Sequence, residues 1–120
     1  MDRDQIPGRI IGCVMNVSNA LRVGFLENVY ENAMIIELRE AGLFAEQQKA
    51  LKVYYCEQLV GEYAADILVE GSIILELKVA QAISQIHQAQ LLNYLRATSF
   101  DLGLILNFGT PRLGIKRMVL

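Results

Sequence analysis

The chain has 120 residues, 53% of them hydrophobic and 20% charged, with 11 Lys and Arg against 13 Asp and Glu. Such a composition predicts one compact domain over residues 1–120 and excludes a disordered chain. The formal net charge of −2 excludes a general electrostatic attraction to nucleic acid or to an anionic membrane, so any basic contact surface must be local.

Cysteine usage and the N-terminal sequence favour the cytoplasm. Cys13 and Cys56 are far apart and form no CxxC pair, which indicates neither a disulfide framework nor a zinc ribbon. The first residues lack the apolar core of a signal peptide, and no apolar run approaches the roughly 20 residues of a membrane span. We therefore expect a cytoplasmic protein that has no membrane partner.

The first 42 residues predict two helices. Apolar residues recur at helical spacing from Ile6 to about Leu21, and the sequence at 22–24 breaks this pattern. A second helical stretch runs from about Leu26 to Ala41, and Gly42 stands in the position of a C-terminal cap.

The remaining chain predicts five strands and one helix. Period-two alternation from Ala45 to Tyr55 indicates a strand, and strands at 59–69 and 72–79 complete an antiparallel meander. A helix is expected at 84–97, with Ser84 as its N-cap and an apolar side carrying Ile86, Ala89, Leu92 and Leu95. Strands at 101–108 and 115–120 follow. The order ααβββαββ predicts a fold of the α/β (α+β) class, a mixed β-sheet flanked by helices.

The strongest functional signal is the hairpin at residues 64–78. If Gly71 lies at the centre of a tight turn, Asp66 falls opposite Glu76, five residues to either side of it. Alternation along the strands then places Asp66, Glu76 and Lys78 on one face. The neighbouring runs are apolar on both faces, so these charges meet a large desolvation cost unless they neutralise one another or bind metal.

Two opposed carboxylates beside a lysine suggest metal-assisted phosphodiester hydrolysis. Asp66 and Glu76 would fix Mg²⁺ or Mn²⁺, and Lys78 would assist the attacking water or the growing negative charge. The alternative is a structural salt bridge from Lys78 to either carboxylate.

Three further groups of residues are candidates for the site, each with an ordinary structural explanation. Glu27 in a first helical turn could join the metal site with Tyr30 on its face, or could simply favour the helix N-terminus. His87, Gln90 and Tyr94 form one helical stripe that could hold substrate, or could be a solvated face. The trio Arg112, Lys116 and Arg117 could contact phosphates, or could be scattered surface charge.

These residues, in this order along the chain, resemble the PD-(D/E)XK nuclease superfamily in its RecB-like branch. The likeness is stronger still to the small GxxExxY proteins, whose defining motif is here Gly24-Phe-Leu-Glu27-Asn-Val-Tyr30. Matching segments cover almost the whole chain and include 63–70, 74–78, 87–95 and 106–109. Among the departures, Ser18 stands where that family commonly has histidine, and Ala64 where an arginine often precedes the aspartate.

The resemblance implies a restriction-endonuclease-like αβββαβ core and a Mg²⁺ (or Mn²⁺) dependent nuclease acting on nucleic acid, with DNA the first expectation. It makes Asp66, Glu76 and the Leu77 carbonyl metal ligands and adds Glu27 to the acidic cluster. It implies that Lys78 helps to activate or orient the attacking water, and that Gln90 and Tyr94 support the substrate or the metal shell. A catalytically silent binding or assembly module of the same fold remains the alternative, and the apolar content is compatible with a homodimer.

Overall fold

The computed structural model of the chain describes residues 3–120. A short 3₁₀ turn at Arg3–Gln5 leads into three helices and five strands. The helices are α1 (Ile6–Leu21), α2 (Glu27–Glu40) and α3 (Gln85–Ala97), and the strands are β1 (Ala45–Tyr55), β2 (Gln58–Val69), β3 (Ile73–Lys78), β4 (Leu102–Asn107) and β5 (Gly114–Val119). The predicted order ααβββαββ is confirmed. None of the helices formed by these residues combines the length and apolar character that a membrane crossing requires.

The strands form one mixed sheet in the order β1-β2-β3-β4-β5. Neighbouring strands are antiparallel except β3 and β4, which are parallel and are connected through α3. A parallel connection needs a crossover, and α3 supplies it across one face of the sheet. Helices α1 and α2 cover the opposite face, so β3 and β4 are buried on both sides.

Helix ends follow the signals in the sequence. Gly42 has a φ of 80°, and its N–H donates to the Arg39 carbonyl at 3.0 Å. The N–H of Leu43 donates to the Leu38 carbonyl at 2.9 Å, which completes a Schellman cap on α2. This left-handed position suits glycine, because a Cβ would add steric strain there.

The turn between β2 and β3 confirms the predicted register. Glu70 and Gly71 both have positive φ, 52° and 61°, and the N–H of Ser72 donates to the Val69 carbonyl at 3.0 Å. Positive φ at both central positions is the geometry of a type I′ turn, which matches the twist of antiparallel strands. The paired residues, Ile67 with Leu75, Leu68 with Ile74 and Val69 with Ile73, are centred on Gly71 as the sequence predicts.

Two hydrophobic cores lie on the two faces of the sheet. The larger packs α1 and α2 against the sheet and includes Ile10, Val14, Met34, Leu38, Leu75, Leu77 and Leu106. The smaller packs α3 against the other face and includes Leu51, Ala65, Leu68, Ile74, Leu91, Tyr94, Leu95 and Ile105. Leu75 and Leu77 therefore face α1 and α2, which turns Glu76 toward α3.

Strands β1 and β2 both change face at one level of the sheet. Ala45 belongs to the α1/α2 core and Leu51 to the α3 core, although residues six apart in a regular strand share a face. In β2 the change occurs between Ala65 and Ile67. Gln48, with a φ of 51°, lies within the β1 change, and Asp66 lies within the β2 change. The regular alternation that the sequence argument assumed is therefore broken at Asp66.

The buried side of α3 agrees with the predicted one only in part. Leu95 is buried and Leu92 packs against the core, as predicted, but Ile86 is 80% exposed and Ala89 is exposed, and the neighbouring Leu91 and Tyr94 are buried in their place. The helix carries apolar residues on more than one side, and the strand residues that it meets determine which of them are covered.

Candidate active site

Asp66 and Glu76 bond each other's strands at the point where β2 and β3 stop pairing. The backbone N–H of Asp66 donates to Glu76 Oε2 at 2.7 Å, and the N–H of Leu77 donates to Asp66 Oδ2 at 2.8 Å. Backbone pairing of β2 with β3 reaches only as far as Ile67 and Leu75. Beyond that pair the two carboxylates act as the acceptors, so they sit together in a fork between the strands.

Glu76 is a buried acid beside another acid. The residue is only 4% exposed to solvent. Burial raises the pKa of Glu76, the negative charge of Asp66 raises it further, and together they bring it to about 8. The hydrogen bond from Asp66 and the charge of Lys78 act in the opposite direction. Without a bound cation, Glu76 therefore holds its proton at neutral pH.

Lys78 lies close to this fork but forms no ion pair with its carboxylates. Its positive charge lowers the pKa of both Glu76 and Glu27, although burial and the other acids outweigh it. Within residues 3–120 no ion pair joins Lys78 to Asp66 or to Glu76. The structural salt bridge offered as the alternative explanation of this hairpin is thus not formed, and the lysine ammonium keeps its donors for another acceptor.

Glu27, the exposed first residue of α2, lies near the fork but does not converge with Asp66 and Glu76 into one metal-binding cluster. Burial raises the pKa of Glu27, and the charge of Asp66 raises it further. The preceding loop is held by Tyr30, whose hydroxyl donates to the Arg22 carbonyl and accepts from the N–H of Phe25 at 3.3 Å. Tyr30 is fully buried and stacks on Phe108, with ring centroids 4.6 Å apart. Tyr30 therefore positions the loop that leads to Glu27.

Two residues of this region were missed from the sequence. Glu31 is 7% exposed, and its Oε1 accepts from Nε2 of Gln48 at 2.8 Å. The same Gln48 nitrogen lies 3.4 Å from Asp66 Oδ1, so it connects α2 to the fork. The spacing of Glu27 and Glu31, four residues apart on one helical face, could have identified Glu31. Nothing in the sequence marks Gln48.

Gln90 and Tyr94 approach from α3, on the opposite face to α2. Gln90 Nε2 donates to Tyr94 Oη at 3.0 Å. Burial raises the pKa of the Tyr94 phenol, and the charges of Glu76 and Asp66 raise it further, which shows that this ring lies near the carboxylates. Side chains from α2 on one face of the sheet and from α3 on the other therefore lie near the fork.

The other predicted site residues lie elsewhere. His87 caps α3, because its Nδ1 accepts from the N–H of Ser84 at 3.1 Å and its own N–H donates to Ser84 Oγ at 3.2 Å. Lys116 pairs with Ile105 and Arg117 with Leu104, which belong to opposite cores. The two basic side chains therefore point to opposite faces of an edge strand, and Arg112 lies in the preceding loop.

The donors available in the fork suit a hard cation. Asp66 Oδ1 and Glu76 Oε1 are not engaged by backbone N–H groups, and every donor is an oxygen. Among the described residues, no three His, Cys, Asp or Glu side chains converge closely enough to hold a metal. One or two carboxylates are the usual protein contribution to a Mg²⁺ site, with water and substrate phosphate as the other ligands. The fork fits that pattern.

Comparison with known proteins identifies the superfamily and the fold. A family model of the PD-(D/E)XK nuclease superfamily matches residues 4–118. The crystal structure of SSO0001 superposes with a TM-score of 0.60 at 17% identity, over 77% of this chain and 48% of that one, so this chain spans about half its length. That similarity shows the fold alone. No curated protein matches the chain significantly. Because the family model covers nearly the whole sequence, the chain belongs to the PD-(D/E)XK nuclease superfamily.

Proposed function

We propose that this protein is a nuclease that hydrolyses phosphodiester bonds of DNA, or of RNA, with Mg²⁺ or Mn²⁺. The observation that carries the proposal is the strand fork in which Asp66 and Glu76 bond each other's strands, with Lys78 two residues further along. Membership of the nuclease superfamily supports the same reaction. Within this superfamily, the motif around Glu27 and Tyr30 leads us to propose that the protein is of the GxxExxY type and acts in the cytoplasm.

Asp66, Glu76 and the Leu77 carbonyl would hold the ion, with Glu27 completing the acidic cluster. When bound, the ion supplies Lewis-acid polarisation of the phosphate and makes a coordinated water more acidic. Burial and mutual repulsion make the charged form of Glu76 unfavourable in its absence, which supports a cation as the missing partner.

Lys78 would act on the reacting groups directly. Its ammonium is near the fork but bonded to neither carboxylate, so it can donate to the attacking water or to a phosphate oxygen. A fixed positive charge at that place stabilises the negative charge that develops in the transition state. Gln90 and Tyr94, bonded to each other beside the carboxylates, would support the substrate strand.

The experiment is cleavage of labelled single-stranded DNA, duplex DNA and RNA with Mg²⁺ or Mn²⁺, compared with a chelator. Wild type should cleave at least one substrate, and Asp66→Asn and Lys78→Ala should lose at least about a hundredfold in rate. Lys49→Ala is the matched control, because Lys49 pairs with Glu46 on the surface. The proposal fails if no substrate is cleaved or if Lys78→Ala cleaves at the wild-type rate.

A catalytically silent module is the second candidate. It is favoured by one observation, that no preformed cluster of three metal-binding side chains exists among the described residues. Calorimetry separates the two. Binding of Mn²⁺ that Asp66→Asn abolishes supports the nuclease, whereas no divalent-ion binding together with a tight protein partner on pull-down supports the module.

A further inference from the structure

The β1–β2 hairpin extends beyond the rest of the sheet and forms one wall beside the fork. Its strands have 11 and 12 residues, against 6 in β3. Tyr63 lies on the extended part, three residues before Asp66, and pairs with Leu51 of the α3 core. Paired residues share a face of the sheet, so Tyr63 is on the side of α3.

A cleft of about 310 Å³ lies between this wall and α3. Tyr63 is 44% exposed although its ring packs against Tyr94 at a centroid distance of 5.1 Å. Ile86 is 80% exposed on the helical side. The cleft is lined by Tyr63, Ile86, Ala89, Gln90, Asn93 and Tyr94.

The cleft lies on the same face of the sheet as Glu76, because Glu76 pairs with Ile105 of the α3 core and Tyr94 of the cleft belongs to that core. Tyr94 is in its lining and also packs in the core that contains Ala65, the residue before Asp66. A strand that has a phosphate at the fork and runs along this face would therefore meet the cleft with a neighbouring base.

The lining chemistry matches a nucleobase. An exposed aromatic ring and an exposed isoleucine offer flat apolar contact, and every base has a face that stacks on an aromatic ring. Gln90 and Asn93 contribute amide groups, which both donate and accept hydrogen bonds at a base edge. The Asn93 side chain makes no hydrogen bond to any other residue that the structure describes. No charged residue lines the cleft, so it does not suit a phosphate group.

We propose that this cleft binds one unpaired nucleobase next to the phosphate that is cleaved, with Tyr63 as its stacking platform. This inference rests on the proposed nuclease function and narrows its substrate. A base inside a duplex is already stacked and must be flipped out at a cost of a few kcal/mol before it can enter such a site. The substrate class is therefore single-stranded nucleic acid, or the unpaired segments of branched and damaged duplexes.

The test is anisotropy of labelled 12-nucleotide strands, measured with Mg²⁺ on the Lys78→Ala variant, with gels to verify that the strands stay intact. Oligo-dT should bind, and adding Tyr63→Ala should weaken binding about tenfold or more, while Tyr63→Phe retains it. Tyr54→Ala is the matched control, because Tyr54 is a tyrosine of the same hairpin, 59% exposed, on the opposite face. A strand of abasic sites and a blunt duplex should bind weakly and regardless of residue 63.

The inference is overturned if oligo-dT does not bind, if Tyr63→Ala binds it as tightly as the Lys78→Ala parent, or if the abasic strand binds as well as oligo-dT. Failure of the nuclease assignment gives a different result. In that case strand binding depends on Tyr63, but wild type cleaves nothing with any divalent ion. Conversely, if cleavage depends on Lys78 but is unchanged by Tyr63→Ala, the protein is a nuclease and the cleft is not part of its substrate site.

Discussion

The backbone N–H of Asp66 donates to the carboxylate of Glu76 at 2.7 Å, across the fork where β2 and β3 separate. The carboxylate of Asp66 in turn accepts from Leu77, the next residue of the opposite strand. Each acid thus orients the other through the backbone, and each has one oxygen that accepts from no backbone N–H. The arrangement brings two carboxyl groups together and buries Glu76, which is costly for stability and explicable by function.

The first prediction concerns pH and stability without metal. Glu76 has a folded-state pKa of about 8 against an ordinary value of 4.5, so folding favours its protonated form. The corresponding stability is complete below about pH 4.5 and is lost as pH rises to about 8, with a loss on the order of 5 kcal/mol. Urea unfolding in a chelator at a series of pH values measures it.

Glu76→Gln is the control for that titration, since an amide oxygen can still accept from Asp66. Its unfolding free energy should change much less between pH 5 and pH 8 than that of the wild type. Equal slopes for the two proteins would show that Glu76 is not the group responsible.

The second prediction concerns metal and thermal stability. Mn²⁺ should raise the melting temperature in proportion to the logarithm of its concentration, because it binds only the folded fork. Binding should tighten as pH rises toward 8, since Glu76 must release its proton. Asp66→Asn should abolish the effect, and Glu62→Gln, an exposed acid of the same strand, should leave it unchanged. A melting temperature equally raised in Asp66→Asn would place the ion elsewhere.

The third prediction concerns the loop before Glu27. Tyr30→Phe keeps the stacking on Phe108 but removes the hydroxyl that bonds Arg22 and Phe25. We expect a loss of about 1–2 kcal/mol in unfolding free energy and a fall in cleavage rate, because Glu27 is less well placed. Both are measurable on one preparation. Unchanged stability and rate would mean that the hydroxyl does not hold the loop.

The fourth prediction concerns Gln48, which has a φ of 51° and bonds Glu31. Gln48→Ala loses these side-chain bonds, which should lower the unfolding free energy by about 2 kcal/mol. Its left-handed backbone strain is the same as in the wild type. Gln48→Gly loses the same bonds but tolerates positive φ, so it should be about 1 kcal/mol more stable than Gln48→Ala. If the alanine variant is the more stable of the two, the backbone at this position is not left-handed.

Much of this fold could be predicted because the signals are local. Gly71 fixes the turn, and the turn fixes a register that ends at Ile67 with Leu75, just before the fork formed by Asp66 and Glu76. Gly42 and Ser84 mark helix ends in the same way. What failed depends on contacts distant in sequence. The buried side of α3 is chosen by the sheet, so Leu91 is covered and Ile86 is exposed.

The meeting of Asp66, Glu76 and Lys78 was predictable, because their charges interrupt apolar strands. The involvement of Gln48 was not predictable, because the change of face there depends on both strands of the β1–β2 pair. Tyr30 was identified as a site residue, but its burial gives it a positioning role that a motif alone does not show.

The most direct measurement of the central claim is anomalous scattering from crystals soaked in Mn²⁺. We predict a peak in contact with the Asp66 and Glu76 carboxylates in the wild type, and no peak there in Asp66→Asn crystals treated identically. A wild-type map with no peak at the fork, at Mn²⁺ concentrations that support cleavage, would contradict the account.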